Sequence, residues 1–89
     1  MTSDKYINNC RICGFFLGYP PWGKDGKIPL FEYCPCCGVE FGYQDSTLKG
    51  IKKFREQWIN NNMTWSYSEE KPLSWDYKQQ LRSIPDKYK

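Results

Sequence analysis

The chain has 89 residues, 13 of them basic and 10 acidic, and its formal net charge is +3 at pH 7. This length predicts one small domain, and the charge is lower than that of a typical nucleic-acid-binding domain. The sequence contains no histidine, which excludes a Cys-His nucleophilic pair and a histidine proton shuttle.

Residues 1–9 form a polar lead-in. They lack the apolar segment of a secretory signal peptide, and no apolar run in the sequence is long enough to span a membrane. We therefore expect a cytoplasmic protein without membrane contact, folded as a single domain over residues 1–89.

A cysteine motif occurs twice. Residues 10–19 (knuckle 1) read CRICGFFLGY, and residues 34–43 (knuckle 2) read CPCCGVEFGY, with two cysteines, two glycines and the last tyrosine in register. Two Cys-x-x-Cys turns supply the four thiolates of a closed tetrahedral zinc site. The spacing predicts one zinc ion per chain, with iron as the alternative, bound by Cys10, Cys13, Cys34 and Cys37.

Disulfides and redox catalysis are the competing interpretations of these cysteines. Disulfide scaffolds are typical of secreted chains, and the count of five cysteines leaves one unpaired. A thioredoxin-like motif requires a single Cys-x-x-Cys beside a βαβ unit, which the sequence does not contain. A structural metal site is therefore the favoured interpretation.

Cys36 is the fifth cysteine, and three interpretations of it stay open. The first is an accessible nucleophile or oxidation sensor beside the metal, the second is a small buried residue that fills space, and the third is a ligand that exchanges with a neighbouring cysteine. The second is favoured because free cysteines are commonly buried and no base or substrate pocket is apparent for an activated thiol.

Residues 6–45 are predicted to form a small antiparallel β-ribbon around the metal. Asp25-Gly26 is a hairpin-turn signal, although the prolines of segment 19–29 restrict regular pairing to short pieces. Residues 30–33 resemble a short strand, and residues 39–44 alternate between apolar and polar as a strand does.

Residues 46–85 are predicted to form two helices packed on the ribbon. The first, with Asp45 or Ser46 as its N-cap and a stop at Asn60 to Asn62, has an amphipathic pattern. Its apolar face consists of Leu48, Ile51, Phe54, Trp58 and Ile59. The second is capped by Ser74 and ends before Pro85. The predicted fold class is therefore α+β, a zinc-ribbon-like antiparallel β-ribbon with two C-terminal α-helices.

Two groups of residues are candidates for partner binding. Lys49, Lys52 and Lys53 lie on one side of the first helix, either as a nucleic-acid contact or, as we favour, as an ordinary solvated face. Tyr19 and Trp22 belong to a loop that either anchors a partner protein or folds over the ribbon as a lid.

The remaining aromatic and acidic residues favour structure over catalysis. The tryptophans at positions 58, 65 and 75 are expected to pack in the core rather than to stack on bases. Glu69-Glu70 lies in a charged loop, and no pair of carboxylates converges elsewhere. Because four cysteines also leave a metal no open position for water, we expect no enzyme activity.

The knuckles carry resemblances to known families. They resemble those of the zinc-ribbon superfamily, whose turns read Cys-x-x-Cys-Gly and Cys-Pro-x-Cys-Gly, and residues 33–38 resemble the cysteine-rich CPCC family of small bacterial proteins. The first resemblance implies metal at the four paired cysteines, and the second implies no established activity. The knuckles are also similar to those of rubredoxins, which carry electrons on iron, but the 20 residues between Cys13 and Cys34 are a shorter spacer than in that family.

The leading hypothesis is a zinc-stabilised protein-interaction module that binds a partner through its aromatic loop or its helix surface. The alternatives are a nucleic-acid-binding zinc ribbon and a rubredoxin-like iron electron carrier.

Overall fold

The computed structural model describes residues 5–89. The first four residues of the predicted lead-in, 1–9, lie outside the described residues. The regular elements are α1 (Leu48–Asn60), a 3-10 turn (Ser68–Glu70), α2 (Tyr77–Arg82) and a second 3-10 turn (Asp86–Tyr88). None of the helices in residues 5–89 combines the length and the apolar character needed to cross a membrane.

The predicted β-ribbon does not form, and the α+β fold class is wrong. Across residues 5–89 the backbone pairs as β-structure only at two isolated antiparallel bridges, Asn9 with Phe16 and Tyr33 with Glu40. Each bridge closes one knuckle and extends no further. The described chain is a small globule of loops and helices in which turns, rather than strands, carry the cysteines.

Glycines with positive φ explain why no strand propagates from the bridges. In knuckle 2, Gly38 has φ 81° and Gly42 has φ 98°, whereas extended backbone requires negative φ. The alternation of residues 39–44 therefore ends at Gly42, so that Val39 and Phe41 are fully buried while Tyr43 is exposed.

Helix α1 ends where the sequence predicts but begins after a different cap. The Thr47 side chain, not Asp45 or Ser46, accepts a hydrogen bond from the Gly50 N–H. Asp45 is unavailable because its buried carboxylate accepts hydrogen bonds from the Gly42 N–H at 2.7 Å and from the Trp22 indole at 2.9 Å. Of the predicted apolar face, residues 51 and 58 are buried, residue 54 is half-buried, and residues 48 and 59 are exposed.

Helix α2 is short and packs beside knuckle 1. Its N-cap is Asp76 rather than Ser74, and the Asp76 carboxylate accepts hydrogen bonds from the N–H groups of Lys78 and Gln79. Close to this helix, the Trp65 ring makes edge-to-face contacts with Phe15 at 5.4 Å and Trp75 at 5.3 Å between centroids. This aromatic cluster joins knuckle 1 to the C-terminal half, as the core-packing interpretation predicts.

Candidate metal centre

The two knuckles are built by the same backbone hydrogen bonds. In each, the first cysteine donates its N–H to the carbonyl five residues later, at 2.9 Å in both Cys10 and Cys34. The glycine after the second cysteine donates back to the carbonyl of the first, at 3.0 Å for Gly14 and 2.9 Å for Gly38. Both glycines have φ above 80°, a conformation that glycine adopts without steric cost. The sequence repeat is therefore also a structural repeat.

The four predicted ligands converge in the core. Their sulfur atoms all lie within 4.8 Å of one another, and the side chains are buried. The first cysteine of each knuckle faces the second of the other: the Sγ distances are 3.6 Å for Cys10–Cys37 and 3.7 Å for Cys13–Cys34.

These distances distinguish a metal site from a disulfide. A disulfide joins its sulfurs at about 2.0 Å, and all five cysteines here are free. Four sulfurs at about 2.3 Å from a central ion form a tetrahedron with edges of about 3.8 Å. The four thiols therefore fit a tetrahedral metal ion.

Burial and mutual hydrogen bonds give the four thiols different pKa values. Burial raises the pKa of Cys10 and, more strongly, those of Cys13 and Cys37. Burial also acts to raise the pKa of Cys34, but hydrogen bonds from the other three thiols and from the Cys37 N–H outweigh it, so this pKa is lowered well below its ordinary value. A metal cation binds cysteines as thiolates and must displace the protons of those that are protonated, which makes metal affinity increase with pH.

Cys36 occupies the same position in knuckle 2 as Ile12 does in knuckle 1, and both side chains are fully buried. Cys36 lies outside the cluster of four ligands. Its Sγ accepts a hydrogen bond at 3.3 Å from the Gln80 side chain of α2, which also donates to the Cys13 carbonyl at 3.2 Å. This environment corresponds to the space-filling interpretation of Cys36.

Arg55 of α1 holds knuckle 1 from the helix side. Its Nε donates to the Ile12 carbonyl at 2.7 Å, and its Nη2 donates to the carbonyls of Arg11, at 2.9 Å, and Tyr88. One guanidinium group thus joins α1, knuckle 1 and the C-terminal turn. Nothing in the sequence indicates these contacts.

We expect Arg55→Met to lower the free energy of unfolding by about 2 kcal/mol, because three backbone carbonyls lose a charged donor while the aliphatic stem is kept. Arg55→Lys should give an intermediate loss, since an ammonium group lacks the planar geometry that spans separate carbonyls. Urea unfolding measures both. Lys52→Met, on the exposed side of the same helix, should change stability by less than about 0.5 kcal/mol, and an equal loss in this control would contradict the role of Arg55.

The structure separates the residues predicted to bind a partner. Lys49, Lys52 and Lys53 are exposed on α1. Tyr19 and Trp22 are half-buried, and the Trp22 ring stacks on the Arg11 guanidinium at 4.0 Å while its indole N–H is bonded to Asp45. Trp22 therefore has the internal contacts of a lid, the second of the two roles considered for its loop.

Sequence reasoning missed an exposed apolar segment before knuckle 2. Ile28, Phe31 and Tyr33 are each more than half exposed. The sequence predicts a short strand over residues 30–33, and the positive φ of Phe31 (57°) has no signature in the sequence.

Comparison with known proteins identifies two relatives, both from Bacillus subtilis (strain 168). YozI is 34% identical to this chain, over 74% of the chain and 68% of YozI. YoaQ is 30% identical, over 72% of the chain and 67% of YoaQ. Both are described as uncharacterised proteins. No protein-family model matches the chain, so the resemblances to zinc ribbons and to the CPCC family gain no support, and no solved structure matches it.

Proposed function

This chain belongs to the family that includes YozI and YoaQ, and we propose that it is a protein-interaction module stabilised by one structural zinc ion. The ligands in this proposal are Cys10, Cys13, Cys34 and Cys37. The module has no catalytic activity of its own.

The convergence of four buried sulfurs is the observation that supports the zinc site. Four cysteine ligands complete the tetrahedral shell of zinc and leave no position for a reactive water. The ion then cross-links two knuckles that no strand joins within residues 5–89. It supplies stability that the loops alone lack. The same ligand set fits iron, which is the alternative ion.

The unpaired surface supports the interaction role. Lys49, Lys52 and Lys53 form no ion pair within residues 5–89, where Lys89 with Asp86 is the one salt bridge. The exposed apolar segment before knuckle 2 adds surface that a partner protein would cover. Exposed apolar residues that lie together mark interaction sites more often than isolated ones do.

Metal analysis of protein produced in metal-balanced medium tests the proposal. We expect one zinc per chain and no absorbance in the visible range. One iron per chain, with colour and reversible reduction, would replace the proposed function with electron transfer. A metal-free folded protein would contradict the structural role of the site.

A further inference from the structure

The exposed apolar segment is held in a strained conformation. Phe31 has φ 57° and is 60% exposed, although a bulky residue in this region is a genuine outlier. The ring is largely exposed, so burial does not account for this conformation. The position is also occupied by phenylalanine rather than by the glycine that a positive φ favours. Strain of this kind concentrates at functional sites.

The same segment lies against Gly42 of knuckle 2. A Cβ atom on Gly42 would lie 2.8 Å from the Phe31 ring and 2.7 Å from Pro29, so these side chains sit directly on the Gly42 backbone. The next residue, Tyr43, is 71% exposed. Phe31 lies on the Gly42 backbone and Tyr43 follows Gly42 in the sequence; we call these two exposed residues, with exposed Ile28 three positions before Phe31, the apolar patch.

A groove begins at Tyr43 and follows helix α1. It has a volume of about 370 Å³ and is lined by Tyr43, Thr47, Gly50, Lys53, Phe54 and Gln57, among others. A second hollow of about 310 Å³ shares Phe54 and Gln57 and extends to Cys37. We call the two hollows together the groove. Their lining residues on α1 and its C-cap run from Gly50 to Asn61, about 16 Å along the helix at a rise of 1.5 Å per residue, which corresponds to about five residues of extended chain.

The charge that lines the groove is positive. Lys53 is the one charged residue that lines the first hollow, and no carboxylate of the described residues lines either hollow. Lys49 lies one turn earlier on α1, and no acidic residue lies in the first turn of this helix. The groove is therefore complementary to negative charge.

We infer that the apolar patch and the groove bind an extended acidic segment of a partner protein. The segment places an aromatic or aliphatic side chain on the apolar patch and its carboxylates toward Lys53 and Lys49. This inference rests on the proposed interaction function and specifies the partner's chemistry.

A peptide fits this surface better than a nucleic acid does. Ile28 offers an aliphatic surface, which a protein side chain covers but a base does not stack on. The groove continues with amide and hydroxyl side chains, which suit hydrogen bonds to a peptide backbone. The net charge of +3 is low for a nucleic-acid-binding domain.

The test uses the metal-loaded full chain and a phage-displayed library of short random peptides. We expect the selected peptides to combine acidic residues with an aromatic or aliphatic residue. Tyr43→Ala and Lys53→Glu should each weaken binding of a selected peptide about tenfold or more. Phe31→Gly should weaken binding without changing the metal content. Lys78→Glu, the same charge change at an exposed site on α2, should leave affinity within about twofold.

Three results would overturn the inference. The first is selection of peptides that lack acidic residues, and the second is binding that Tyr43→Ala and Lys53→Glu do not affect. The second result would leave the interaction function intact but move its surface elsewhere. The third is binding of single-stranded RNA or DNA, lost in Lys53→Glu, with no peptide selected, which would also overturn the protein-interaction role. Metal analysis of each variant keeps the zinc proposal separate from these outcomes.

Discussion

Removing the metal ion is expected to unfold this protein. A domain of 89 residues has a total stability of about 5–13 kcal/mol, and structural zinc contributes an apparent ~10–16 kcal/mol in small peptides. Because the sulfurs lie among the buried residues that α1 packs against, loss of the ion should also release the helix. Circular dichroism during thermal melting, with and without a chelator, measures both effects. A melting curve unchanged after confirmed metal removal would contradict the structural role.

Neighbouring cysteines provide a matched pair for this prediction. Cys36 and Cys37 are adjacent and both buried, but only Cys37 belongs to the sulfur cluster. We expect Cys37→Ala to reduce metal affinity severely and to lower stability by several kcal/mol. Cys36→Ala should retain one metal per chain and cost about 1 kcal/mol, the typical effect of a point substitution. Equal loss of metal in the two variants would mean that Cys36 is also required for the site.

The cysteine cluster could be predicted from the sequence because its determinants are local. Each Cys-x-x-Cys-Gly turn specifies its own backbone hydrogen bonds, and the repeat indicates that two identical turns are available for one ion. The β-ribbon prediction was wrong because a local turn ends the strand pattern. Alternating residues such as Val39 and Phe41 suggest a strand, but Gly42 turns the chain before a second pair of bridges can form.

Contacts between distant segments could not be predicted. Arg55 lies 43 residues from Ile12 in the sequence, and its hydrogen bond to the Ile12 carbonyl depends on how α1 is placed against knuckle 1. The same holds for Asp45, whose type predicts an N-cap but whose carboxylate is bound by Trp22 and Gly42. Local patterns therefore identified the four cysteines that cluster, while tertiary packing determined the surroundings of these cysteines.

Gly14→Ala is expected to destabilise the protein more than the equivalent change in knuckle 2. A Cβ atom at Gly14 would lie 2.0 Å from the Gln80 carbonyl oxygen, whereas a Cβ atom at Gly38 would lie 3.5 Å from its nearest neighbour, on Ser66. Their φ values are nearly equal, at 84° and 81°, so both variants incur the same cost of about 1–2 kcal/mol for an L-residue in this conformation. The difference between them isolates the contact with α2.

The added Cβ at Gly14 would meet a backbone oxygen of Gln80, so a change of side-chain rotamer cannot relieve the contact. Helix α2 must move away, and Gln80 then loses its hydrogen bonds to the Cys13 carbonyl and the Cys36 sulfur. We expect Gly14→Ala to cost about 3 kcal/mol more than Gly38→Ala, as measured by urea unfolding of the metal-loaded protein. Equal losses would mean that α2 does not pack against knuckle 1 as described. A larger loss at Gly14, with one metal still bound per chain, would locate the damage in the docking of α2 rather than in the metal site, because no residue of α2 belongs to the sulfur cluster.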